Sequence, residues 1–79
     1  MPEMDPEHRM LCEVLVEARV QARLTQRELA EKLNRLQSFV GKIERGDRHI
    51  NVIEFIQVAR ALEIEPTKLL AKVVKATGL

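Results

Sequence analysis

The chain has 79 residues, 46% of them hydrophobic but only 3% aromatic, with no Trp or Tyr and with Phe39 and Phe55 as its two phenylalanines. A chain this short buries about 60% of the surface it exposes when unfolded, so it holds one core; the core must be Leu, Ile, Val and Ala, which favours packed helices. With 32% charged residues nearly balanced in sign, it reads neither as a disordered polyelectrolyte nor as a membrane protein.

Residues 1–79 read as a single domain with a flexible N-terminus over 1–5. Glu3, Asp5, Glu7 and two early prolines have the wrong charge and polarity for a targeting signal, so a cytoplasmic protein is expected. Asp5, Pro6 and Glu7 form an N-cap, a first-position proline and a first-turn acid, which start a helix that runs to about Ala22. Its inward stripe is Leu11, Leu15, Ala18 and Ala22. Thr25-Gln26-Arg27-Glu28 fits a capping box and opens a second helix of about two turns that carries Leu29, Ala30 and Leu33 inward. Asn34 ends it, because Asn tolerates the left-handed conformation that a tight turn requires.

A third helix spans Gln37 to Arg45 and stops at Gly46. Asn51 caps a fourth, with Val52, Phe55, Ile56, Ala59 and Leu62 at helical spacing, and Pro66 opens a C-terminal helix and tail over 66–79 that carries Leu69, Leu70, Val73 and Val74. Nothing alternates like a strand, so the expected class is all-α, a compact five-helix domain. The net charge of +1 is unevenly spread: residues 1–22 hold five acids against Arg9 and Arg19, whereas residues 23–48 hold seven bases against four acids. That basic middle suits a phosphate-facing surface, although a charge run can also be a solvated face.

The informative stretch is residues 25–45, two short helices joined by a tight turn. At about 100° per residue, Gln37, Ser38, Gly41, Lys42 and Arg45 fall on one side of the third helix and Phe39, Val40 and Ile43 on the other. One face packs and the other is polar. A helix fits the major groove of duplex DNA, where Gln can pair with adenine, Lys with guanine acceptors and Ser with either. Gly41 costs that helix about 1 kcal/mol, which close approach to a groove would justify.

The run from Leu24 through Leu33, followed by Gln37-Ser38-Phe39-Val40-Gly41-Lys42-Ile43-Glu44-Arg45-Gly46, resembles the helix-turn-helix of the XRE-like family, which includes the lambdoid phage repressors and Cro proteins. The resemblance extends to Leu69 and Leu70 and implies a repressor-like fold and a two-fold dimer. It assigns Gln37, Ser38 and Lys42 to base edges, Gln26 to a DNA phosphate, and Arg45, Arg48 and His49 to further backbone contacts. It also pairs Arg19 with Glu44 as a partly buried ion pair. Four positions depart from the family pattern. Arg23 and Glu63 stand where glycine usually ends a helix, Asn34 replaces a turn glycine, and Leu36 stands where Ser or Thr usually caps the third helix; these imply modest stability.

Other features have plainer readings. Cys12, Val16 and Val20 form a second apolar line on the first helix, expected to pack against the fifth; Cys12 cannot make an internal disulfide. Cys12, His8 and His49 do not amount to a zinc ligand set, so neither metal nor cofactor is expected. His8 and His49 read as surface residues and Phe39 as core edge. With one Ser, two Asp and little bulk to wall off a pocket, the chain is not read as an enzyme. The expected function is a dimeric transcriptional regulator, a repressor or controller that binds a palindromic operator on double-stranded DNA. Its dimer interface is expected at Ile53, Leu70, Val73 and Val74, because Leu69, Leu70, Val73, Val74 and Leu79 offer more apolar surface than one short helix needs and, by the resemblance, Ile53 stands where the family usually has a polar residue. The alternative is a module that binds another protein, such as an antitoxin with its toxin.

Overall fold

The computed structural model describes residues 5–79, so the expected flexible N-terminus lies, over 1–4, outside the described residues. Five helices follow in order: α1 (Pro6–Gln21), α2 (Gln26–Lys32), α3 (Gln37–Arg45), α4 (Val52–Ala61) and α5 (Pro66–Thr77). Among the described residues there is no strand, and no helix is long and apolar enough to cross a membrane.

The starts follow the chemistry of their first residues. Asp5 accepts from the His8 amide at 2.8 Å, and both Thr25 with Glu28 and Asn51 with Glu54 form reciprocal capping boxes. Each such cap stabilises its helix by about 1 kcal/mol. Leu36 has no polar atom to offer and caps α3 without a side-chain hydrogen bond. The ends of α1 to α4 share one device. The amides of Leu24, Arg35, Asp47 and Ile64 reach back to the carbonyls of Arg19, Ala30, Lys42 and Ala59, at 2.9–3.3 Å. Each closure needs a left-handed residue just before it, and Arg23 (φ 62°), Asn34 (57°), Gly46 (82°) and Glu63 (58°) supply it. Arg23 and Glu63 therefore occupy a left-handed conformation that glycine adopts freely, at a cost of about 1–2 kcal/mol each.

The core comprises Leu15, Ala18, Leu29, Ala30, Val40, Ile43, Phe55, Val58, Ala59, Leu62 and Leu69. Leu69 is fully buried, so its truncation to Ala would cost about 2–5 kcal/mol. Helix α1 packs on both α5 and α3, α2 packs on α3 and α4, and α4 packs on α5. Ala30, 1% exposed, is small enough to let α2 sit closely on its neighbours.

Two expectations are corrected. The line Cys12–Val16–Val20 does not pack on α5: Cys12 lies against α3, its thiol 3.3 Å from the Ile43 carbonyl, and Val20 is exposed. Val14 and Ala18 face Lys72 and Ala76 of α5 instead. In α4, Val52 and Ile56 point outward, while Val58 and the carboxylate of Glu54 are buried with Phe55 and Ala59. The residue Gly41 is buried under neighbouring side chains, and a Cβ there would lie 3.2 Å from Arg45 Nη1 and 3.5 Å from Gln26 Oε1.

Candidate nucleic-acid interface

Helices α2 and α3 with the turn between them form one rigid corner. Leu29 and Ala30 from α2 and Val40 and Ile43 from α3 are all buried, so the polar side of α3 is turned outward by packing. Gln37, Ser38, Lys42 and Arg45 are exposed on it.

The back of the corner is held by charge. The Arg19 guanidinium donates to Glu44 through Nε at 2.7 Å and Nη2 at 3.1 Å, and through Nη1 to the Leu24 carbonyl at 2.7 Å. These side chains are 14% and 7% exposed. The Gln26 amide donates to the same Glu44 carboxylate at 2.9 Å. One carboxylate thus ties the C-terminal half of α1, the start of α2 and the end of α3 together, and Gln26 is fixed at the first position of α2.

The loop after α3 is ordered by a second carboxylate, which the sequence reading passed over. Glu54, 6% exposed, receives Arg48 in a bidentate pair at 2.8 and 2.8 Å, the Asn51 amide at 3.0 Å and Arg35 at 3.4 Å. These donors, Arg48 foremost and then the Asn51 amide, pull its pKa from 4.5 to about 2, against the opposing effect of burial. The pairing in turn raises the pKa of Arg48. Arg48 also donates to the His49 carbonyl at 3.1 Å, so it is braced rather than loose in the loop. A signal was present: Asn51 and Glu54 repeat the spacing of Thr25 and Glu28.

Phe39 is half-buried at the core edge, and the guanidiniums of Arg35 and Arg48 lie 4.2 and 4.8 Å from its ring centroid. Arg45 pairs with Asp47 at 3.0 Å, both more than 60% exposed. His49 meets His8 edge to face, ring centroids 4.4 Å apart. Among the described residues no group of three or more His, Cys, Asp or Glu could hold a metal ion.

Along α4 and α5, Ile53, Leu70 and Val74 are 63%, 52% and 49% exposed, whereas Val73 is partly buried against the core. Exposed Val52 and Ile56 enlarge this apolar surface. With Leu11, Phe55, Leu70 and Val73 they line a groove of about 350 Å³.

Residues 15–69 match the family described as Helix-turn-helix, HTH_3. Among solved structures the chain is similar to an XRE-family like protein from Pseudomonas syringae pv. tomato str. DC3000, at 42% identity and TM-score 0.82, covering 90% of this chain and 87% of that one. It is also similar to the restriction-modification controller protein C.AhdI from Aeromonas hydrophila, at 32% identity and TM-score 0.75, covering 82% and 98%. The clp gene regulator ClgR from Corynebacterium glutamicum shares the fold, at 23% identity and TM-score 0.82, covering 98% and 81%. No curated protein matches the sequence.

Proposed function

Because the chain belongs to the helix-turn-helix family, in its XRE-like branch, we propose that it is a transcriptional regulator that binds double-stranded DNA in a sequence-specific way. The observation that carries this reading is the exposed polar face of α3, held outward by a buried α2–α3 pair. Seated in the major groove, Gln37 bonds adenine through two contacts, Lys42 meets guanine acceptors and Ser38 serves either base. Gln26, Arg45, Arg48 and His49 face the phosphates and set register rather than sequence. The Arg45–Asp47 pair is exposed enough to exchange for a phosphate at little cost.

A homodimer built on Ile53, Leu70, Val73 and Val74 places two such helices on a palindromic operator, as a repressor or controller. The similarity to a restriction-modification controller protein supports the regulatory role. Selection of bound duplexes from a random pool tests it. The expected result is a two-fold-symmetric site with half-site centres about 34 Å apart. On that site Gln37→Ala should lose about 1–3 kcal/mol and relax discrimination at one base pair. A pool that returns no enriched duplex refutes the reading.

A further inference from the structure

Two arginines share one carboxylate at the edge of the α3 reading face, and the sharing is unequal. Arg48 takes Glu54 bidentately at 2.8 Å, and the Asn51 amide occupies Oε1 as well. A carboxylate has about four acceptor sites, and Arg35 reaches one of the last of them at 3.4 Å. Glu54 is thus neutralised by Arg48, and the charge of Arg35 is left in surplus. Arg35 does not dangle. Its guanidinium lies 4.2 Å from the centroid of Phe39, a residue in the first turn of α3, while its side chain stays 43% exposed. A stacked guanidinium keeps its plane fixed and its remaining N–H donors clear, which suits the bidentate geometry of a phosphate.

We infer that Arg35 is a DNA-backbone contact, positioned by the Phe39 ring and the Glu54 carboxylate to clamp a phosphodiester beside the groove that α3 enters. This rests on the DNA-binding reading above and adds to it a residue that the family resemblance did not mark. Arg35, in the turn between α2 and α3, and Arg48, in the loop after α3, are brought to one ring from the two ends of α3. The two guanidiniums therefore gather at one edge of the reading helix.

The test is the salt dependence of duplex binding by the full chain, on its selected site and on a scrambled duplex. Each phosphate contact contributes about 0.9 to the slope of log affinity against log salt, so losing one removes about 3.5-fold of the loss over a fourfold rise in salt. Arg35→Ala should show that shallower slope on both duplexes, and Arg35→Lys, which keeps the charge, should restore it. Arg60→Ala controls for net charge; Arg60 is an exposed residue of α4 paired with Glu65 at 3.5 Å, and its removal should leave the slope unchanged. If Arg35→Ala keeps the wild-type slope on duplexes that the wild type binds, or if Arg60→Ala reduces it equally, the inference fails while the DNA-binding reading stands. If the wild type binds no duplex, both fall.

Discussion

Glu44→Ala is the most informative single change, because Glu44 joins three helices through one carboxylate. The substitution leaves the Arg19 guanidinium, 14% exposed, with only the Leu24 carbonyl at 2.7 Å, and it releases the Gln26 amide. A charge stranded in a largely buried site costs about 3–5 kcal/mol. A domain of this size is stable by only about 4–12 kcal/mol, so the loss is a large fraction of the whole. At about 4–8 °C per kcal/mol, the melting temperature should drop by about 12 °C or more. The chain has no Trp or Tyr, so urea unfolding should be followed by far-ultraviolet circular dichroism rather than fluorescence. Replacing both partners by apolar residues, Arg19→Met with Glu44→Leu, should recover most of the stability, since neither charge is then stranded. A loss below about 1 kcal/mol for Glu44→Ala, the value for a solvated pair, would refute the argument.

Three further outcomes follow from other parts of the structure. Glu54, with its pKa lowered from 4.5 to about 2, contributes stability that is complete above about pH 5 and lost as pH falls towards 2. That contribution is about 3 kcal/mol, and Glu54→Gln should flatten the acid limb of a stability–pH profile; an unchanged limb would contradict the assignment. Ile53→Glu combined with Val74→Glu should give monomers in sedimentation velocity, and an intact dimer would move the interface elsewhere. Arg23→Gly should stabilise the fold by about 0.5–1 kcal/mol in urea melts, because relief of left-handed strain exceeds the entropy glycine adds to the unfolded chain; a destabilised variant would contradict that balance.

The boundaries of the five helices were legible because their signals are local. Pro6 and Pro66 at first positions, Thr25 with Glu28, and Gly46 after Arg45 all act within a few residues of where they stand. What each face meets was less legible, since a stripe shows that a residue is apolar but not which neighbour covers it. Cys12 lies on α3 rather than α5 for that reason, and Val52 and Ile56 face outward because α4 carries more apolar residues than its neighbours can cover. The exposed polar face of α3 was visible from spacing alone. Its support was not: Arg35 and Glu54 are 19 residues apart and meet only in the folded chain.

The lone thiol gives this fold an internal clock. Cys12 is 4% exposed, its thiol lies 3.3 Å from the Ile43 carbonyl, and burial foremost raises its pKa, so a thiol reagent reacts with it slowly while α1 and α3 are joined. Its rate of alkylation therefore counts the moments at which the two helices part. Because Ile43 belongs to α3, a substitution that loosens the seat of α3 on α1 should quicken that count.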